Sequence, residues 1–309
     1  MPLESRVGKT SASVLALFRE AGHPEPKTHP LTEAERGQLR AAIQALPRVH
    51  RRILHERLRL VSFLDGMPNT ALTSTVNPKE PFHLFEITFN ARLLRQNVSE
   101  WLTWKEQSCF DSKGSRLSVS VDAGTKLDAL VYVLLHEATH IVDMSEGITP
   151  PIIADGRSVT ALSRPATAFT EGVWNDLSLP VAAFRDPIRE RIRFYSNPNA
   201  GQIPVDQAPD VYEWLRRTPF VSLYGGRNWL DDLAEFATVY HLTRVLKQPY
   251  HIVIRRGNEE VFAYEPMKSE LVRRRFGQMR RFYQSGQQTD GRPAIGQDSR
   301  PTPTEKPRT

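Results

Sequence analysis

The run ALVYVLLHEATHIVDM, Ala129 to Met144, is apolar nearly all round a helix of 3.6 residues per turn, so the rest of the chain has to wrap about it. Inside the run stand His136, Glu137 and His140. Residues four apart on a helix are separated by about 400° in azimuth, so both imidazoles project from one face, a turn apart, and can reach one ion. Glu137 is rotated by about 100° from His136, near enough to reach a metal-bound water without being a ligand, as a general base requires. The bland alternative is two histidines satisfied by hydrogen bonds in an ordinary helix. It has to bury two imidazoles and a carboxylate among apolar neighbours, which is costly unless they are paired or bind metal. The run therefore sets two expectations: a central helix, and a zinc site with His136 and His140 as ligands.

A catalytic zinc takes a third protein ligand and keeps an open position. The segment NWLDDLAEF offers acids at i and i+4, Asp231 and Glu235, on one face of a second largely apolar helix. One of the two ligates while the other hydrogen-bonds a ligand histidine. Glu171, in FTEGVW, is a rival third ligand because it lies closer in sequence to the histidine pair; its glycine-flanked setting is equally that of a surface loop.

On these residues the chain resembles the gluzincin metallopeptidases, whose HExxH helix is followed by a second helix with a ligand glutamate and an acid four residues later, often preceded by alanine. DDLAE matches with Asp231 in the ligand slot and Glu235 in the hydrogen-bonding slot; the departure is aspartate for glutamate, one methylene shorter, which leaves Glu235 as the alternative ligand. SLYGGRNWLDDLAE adds a likeness to the lethal-factor type, a tyrosine (Tyr224) seven residues before the ligand position, and HIVD adds the HExxHxxD form with Asp143. The resemblance implies that Tyr224 stabilises an oxyanion and that Asp143 orients nearby groups. It also implies an edge strand that pairs with the substrate backbone, with FHLFEITFN and RLSVSV as candidates. The likeness is confined to short segments around residues 127–144 and 222–242.

The expected chemistry is peptide or amide hydrolysis: the metal lowers the pKa of a water, Glu137 takes its proton, and the carbonyl of a protein or peptide substrate is attacked. A second reading, of another class, is a non-catalytic interaction protein in which zinc only stabilises the fold and basic helices hold a partner or polyanion. A third is nucleic-acid association. The net charge of +6 raises it, but the basic residues cluster in RVHRRILHERLRL and LVRRRFGQMRRFY, where apolar residues at helical spacing read as solvated helix faces. No specific nucleic-acid motif occurs.

The single cysteine, Cys109, excludes an intramolecular disulfide and a cysteine-only metal site. No apolar run approaches the ~20 residues of a membrane span, and SVLALF is too short for a signal core, so the chain as written reads as cytoplasmic. An earlier removal of a leader would make it exported. Oligomeric state is not encoded in any of these patterns.

Along the chain, Thr32 and Glu35 form a capping-box pattern opening a helix that stops near Pro47, and a second helix follows through RVHRRILHERL. Alternation predicts strands over Phe82–Phe89 and Arg116–Gly124. Helices are expected around VAAFRDPIRERIRFYSN and APDVYEWLRRT, and along NWLDDLAEFATVYHLTRVL with a stripe of Leu233, Phe236, Ala237, Tyr240 and Val245. A hairpin turns at Gly257-Asn258, and an arginine-rich helix closes the ordered part. His83, His241 and His251 read as structural; His241 shares the face side of the Asp231 helix and is a candidate for a hydrogen bond near the site. The architecture expected is α+β: a mainly helical, zincin-like catalytic domain with a small mixed or antiparallel sheet over residues 30–284. Residues 1–29 are expected to be flexible and residues 285–309 disordered.

Overall fold

The computed structural model describes residues 2–20, 26–76, 83–154, 159–161, 166–195 and 202–283. The fold is α+β. Its helices are α1 (Ala12–Glu20), α2 (Glu33–Ala45), α3 (Arg48–Arg57), α4 (Val98–Gln107), α5 (Ala129–Glu146), α6 (Ala208–Arg216), α7 (Trp229–Tyr240) and the short α8 (Glu270–Arg273). A mixed sheet has the order β1 (Lys27–Thr28), β2 (Leu58–Asp65), β4 (Phe85–Asn90), β3 (Ala71–Thr75); β2 and β4 are parallel and the other neighbours antiparallel. A second, antiparallel sheet joins β6 (Leu117–Asp122), β12 (His251–Arg256) and β13 (Glu259–Tyr264). Two-stranded pairings complete the set: β5 (Phe110–Asp111) with β11 (Ile203–Pro204), β7 (Ile152–Ala154) with β8 (Val159–Ala161), and β9 (Trp174–Asp176) with β10 (Leu179–Pro180).

Helix α5 occupies the centre. It is buried from Ala129 to Thr139 without a break, and α2, α3, α4, α7 and β3 all pack against it. Its stop is local chemistry. Gly147 takes the left-handed conformation (φ +61°) that costs other residues a steric penalty, and its N–H donates to Asp143 O at 2.8 Å. Asp143 then fixes the exit, its carboxylate accepting from Thr149 N (2.7 Å) and Thr149 Oγ1 (2.6 Å).

The capping box on α2 is formed in both directions, Glu35 N to Thr32 Oγ1 and Thr32 N to Glu35 Oε2. The strand expected from Phe82 is β4, starting at Phe85; Phe82 itself lies outside the described residues. The hairpin turns where expected, Gly257 at φ +59°.

Four expectations are corrected. The described part of the N-terminal segment is packed rather than loose: Leu3 is buried in the main core, Val14 and Phe18 of α1 cluster with Leu64 and Met67, and Leu72 packs on them. Arg6 there donates to the carbonyls of Leu54, His55 and Leu58, the end of α3. A polar composition concealed the few apolar residues that anchor it. The segment around VAAFRDPIRERIRFYSN is not an α-helix but isolated 3-10 turns at Ala182–Phe184 and Arg189–Arg191, because Pro187 disfavours helix at Asp186 and the Asp186 side chain accepts from Ile188 N instead. Helix α7 ends in a π-helical turn, His241–Val245, whose i→i+5 bonding puts more residues in a turn and carries Val245 off the buried stripe to 45% exposure. The arginine-rich segment is one short helix, α8, followed by a 3-10 stretch, Phe276–Phe282, and it is not simply solvated: Arg275 is buried. Residues 285–309, expected to be a disordered tail, lie outside the described residues, as does Gln284. No helix among the described residues is long and apolar enough to cross a membrane.

Candidate metal centre

Helices α5 and α7 pack against each other and bring together the residues singled out in the two motifs. His136 Nε2 and His140 Nε2 lie 3.2 Å apart, and Asp231 Oδ1 is 3.9 Å from the first and 3.8 Å from the second. Two ligand atoms bound at ~2.05 Å around a tetrahedral ion are about 3.3 Å apart, so the histidine pair matches such a site, and the aspartate oxygen would close it by moving in by about half an ångström. Among the described residues these three side chains form the one group whose histidine, cysteine or carboxylate atoms converge in this way. Asp231 presents a single oxygen to the pair. Its Oδ2 accepts from Asn228 Nδ2 at 2.8 Å and faces Arg227 at 3.9 Å, while Asn228 also caps α7 by accepting from Asp231 N.

Glu235, the alternative third ligand, lies outside that group. One turn further along α7, its Oε1 lies 2.9 Å from His136 Nδ1, on the opposite side of the imidazole. Its Oε2 accepts from Lys105 Nζ (2.9 Å), Tyr132 OH (3.0 Å) and Ser222 Oγ (2.6 Å). Burial alone would raise the pKa of this carboxyl, but Lys105 and then His136 outweigh it and hold Glu235 well below the usual carboxylate range. A proton on His136 Nδ1, 2.9 Å from that anion, leaves the Nε2 lone pair facing His140 and Asp231. Glu171, the rival ligand, is exposed in a turn and is likewise absent from the group.

The two histidines respond oppositely to the same surroundings. Burial depresses His136, yet the hydrogen bond and charge of Glu235 reverse the effect and raise its pKa. For His140 burial and the neighbouring His136 act together and lower it to about 4, so it is a neutral nitrogen base at pH 7. Asp231 is raised by burial, against the opposing charges of His136 and Arg227.

Glu137 sits beside the group and faces a cavity of about 420 Å³, lined also by His136, Lys105, Trp101, Phe194, Tyr195, Tyr224 and Arg227. Thr73 Oγ1 of β3 donates to Glu137 Oε2 at 2.7 Å and so sets the carboxylate's orientation. Tyr224 lies across the cavity with its ring centroid 5.8 Å from that of His136. Burial, then the Asp231 charge, keeps its phenol well above the normal range, so it is a hydrogen-bond donor at neutral pH.

Strand β3 forms the free edge of the mixed sheet next to this site. Asn90 N donates to Thr70 O (2.9 Å) and Val76 N to Leu84 O (2.8 Å), which fixes the phase of the ladder. Even-numbered residues bond inward to β4, and Ala71, Thr73 and Thr75 turn their N–H and C=O groups to the open edge. The two strands expected in this role are elsewhere: β4 lies between β2 and β3, and β6 belongs to the other sheet. The run ALTST, short and threonine-rich, carried the β-propensity that marks the true edge strand. Lys105 and Thr73 also escaped the sequence reading, since a lone lysine and a lone threonine have no spacing to notice.

The remaining singled-out residues are away from the centre. His241 bonds Ala45 O (2.7 Å) and Tyr283 OH (2.9 Å), His251 pairs with Glu265 (2.9 Å), and His83 is exposed. In comparisons with known proteins, no family model, curated protein or solved structure matches the chain.

Proposed function

We propose that the chain is a zinc-dependent metallopeptidase of zincin-like design, with His136, His140 and Asp231 as ligands and Glu137 as general base. The observation that carries this reading is the convergence of His136 Nε2, His140 Nε2 and Asp231 Oδ1 beside Glu137, at the wall of a cavity. Three ligands with a carboxylate next to them suit a catalytic site, whereas a purely structural zinc is closed by four protein ligands. That difference favours the hydrolase over a zinc-stabilised interaction protein.

When bound, zinc supplies Lewis-acid chemistry, lowering the pKa of water toward ~7 and polarising a carbonyl. The protein's own groups do the rest. Glu137, oriented by Thr73, accepts the proton of the attacking water and delivers it to the leaving amine. Tyr224 donates a hydrogen bond to the developing oxyanion. The outward N–H and C=O groups of Ala71 and Thr73 take an extended peptide as an added strand, laying its backbone along the cavity. The aromatic walls Trp101, Phe194 and Tyr195 exclude water from the reacting groups.

The test is metal content of protein purified without chelator, together with hydrolysis of a quenched-fluorescence peptide mixture. About one equivalent of zinc is expected, and Glu137→Gln should keep both the metal and the fold while losing activity. Protein that neither carries zinc nor takes it up on addition would rule the reading out.

A further inference from the structure

Lys105, on α4, is a lysine with 1% of its surface exposed, and it points at the heart of the molecule. Lysine is almost never buried without a partner, because the ammonium loses its hydration. Its partner is Glu235 Oε2 at 2.9 Å, on α7, 130 residues further along the chain. Among the described residues no other oxygen accepts from it. The remaining surroundings of Nζ are aromatic: the ring centroids of Tyr224, Trp101, Tyr132 and Phe194 lie at 4.5, 5.3, 5.7 and 5.9 Å. The ammonium is thus flanked by π-faces, which attract a cation without offering it a second acceptor, and the Lys105 side chain also lines the cavity.

Two of these contacts reach the candidate site from behind. Glu235 holds His136 Nδ1 at 2.9 Å, and Tyr224 borders the cavity with His136 and Glu137. We propose that Lys105 is a positioning residue for the metal centre: its ammonium anchors the Glu235 carboxylate in the orientation that fixes the His136 ring, and seats the Tyr224 ring on the same charge. This rests on the metallopeptidase reading only for its purpose, since the anchoring itself is a property of the metal-free protein.

The geometry explains why one cation does both. Glu235 has two oxygens and four neighbours. Tyr132 and Ser222 are neutral donors that leave its charge uncompensated; Lys105 is the cation in the set. Without it the carboxylate keeps the two hydroxyls on Oε2 but loses the cation that balances its charge beside His136. The Tyr224 ring, 4.5 Å from Nζ, loses the contact that holds it against α4. Both changes loosen groups that a metal site needs held to within about half an ångström.

The experiment compares wild type, Lys105→Met and the double variant Lys105→Met/Glu235→Gln. The primary reading is the ¹⁵N spectrum of the His136 ring in metal-free protein at one pH. The wild type should show a single tautomer protonated at Nδ1, and Lys105→Met should show shifted or exchange-broadened ring nitrogens. The second reading is zinc affinity by chelator competition, expected to fall ten- to a hundredfold, the range found when groups that hold a ligand histidine are removed. Should Lys105→Met not fold, the double variant, which leaves no lone buried charge, is compared with Glu235→Gln alone: matching His136 ring-nitrogen signals are expected because Lys105 acts through Glu235, and differing ones would overturn that route. Folded variants with wild-type ring-nitrogen signals, whatever their melting temperature, would overturn the proposal and make Lys105 a packing residue. Because the nitrogen spectrum needs no metal, a wild type that binds no zinc would sink the metallopeptidase reading while this one is still decided.

Discussion

Glu235 Oε1 meets Nδ1 of His136 at 2.9 Å, whereas Asp231 Oδ1, one helical turn earlier, lies toward Nε2 of the same ring at 3.9 Å. The two acids of α7 therefore grip one imidazole from opposite sides, and their roles are not interchangeable. Asp231→Ala is expected to abolish stoichiometric zinc. Glu235→Ala should weaken binding by about 10–100-fold, because it orients a ligand without being one. Glu171→Ala, in an exposed turn, should change nothing. Metal content of the three variants measured side by side checks the order; equal losses for Asp231 and Glu235 would contradict it.

Thr73 donates to Glu137 at 2.7 Å, so Thr73→Val removes a hydrogen bond while keeping the shape of the side chain. Losing a hydrogen bond to a charged group costs about 1.5–3 kcal/mol, and the expected outcome is a kcat roughly ten- to a hundredfold lower. Zinc content and melting temperature should stay close to wild type. A drop in metal content instead would place Thr73 in the metal's support rather than the base's.

How far the sequence revealed this arrangement depends on the kind of signal each residue leaves. His136, Glu137 and His140 share one helix, so their spacing alone puts them on one face, and the apolar run around them announced the burial of α5. Asp231 and Glu235 were legible as a pair because i and i+4 is also a helical spacing; which of them meets the two Nε2 atoms depends on the packing of α7 on α5, and no local pattern encodes that. Lys105 and Thr73 reach the site from other elements through single long-range contacts. FHLFEITFN and RLSVSV could be named only as candidates for the edge, with an ordinary sheet strand the favoured role of each, because strand order is a tertiary property: β4 has neighbours on both sides and is buried along its whole length. The packed N-terminal segment was missed for the same reason, since its order comes from Arg6 capping α3 and from two apolar residues of α1 meeting the sheet.

The phase of β3 makes a backbone prediction. Ala71 turns its N–H to the open edge, so Ala71→Pro deletes a donor that the sheet itself does not use, at the first residue of the strand where proline is tolerated. One intermolecular hydrogen bond is worth about 1 kcal/mol, so KM for an extended peptide should rise roughly fivefold with zinc content unchanged. Leu72→Pro, which removes an inward N–H, should instead destabilise the fold, and thermal melting distinguishes the two.

Arg275 donates to both oxygens of Asp232, at 3.0 and 2.7 Å, while Trp174 Nε1 donates to Oδ2 at 2.9 Å. Asp232 is fully buried and adjoins Asp231, so this pair anchors the start of α7 through the C-terminal segment. Arg275→Met strands a buried carboxylate and should cost about 3–5 kcal/mol. Arg275→Met/Asp232→Asn should recover a large part of that. Chemical denaturation of the two variants measures the difference, and an equal loss in both would mean that the charge is not what matters.

His50 is fully buried between α3 and α5, with Nε2 2.9 Å from Thr139 Oγ1 and its ring centroid 5.0 Å from that of Phe282. Thr139 gives its own proton to Leu135 O at 2.7 Å, so it accepts from His50, which is neutral. Burial, then the nearby His241, lowers the pKa of His50 from the ordinary 6.5 to about 3. Between those values the unfolded chain binds a proton that the folded one refuses, and stability therefore rises with pH across the window. It is fully present above about pH 6.5 and is lost as pH falls, by up to about 1.4 kcal/mol per unit. His50→Phe keeps an aromatic ring against Phe282 and removes the titrating group. Its melting temperature should fall less than that of the wild type between pH 6.5 and pH 4, and parallel curves for the two proteins would assign the acid sensitivity to other groups.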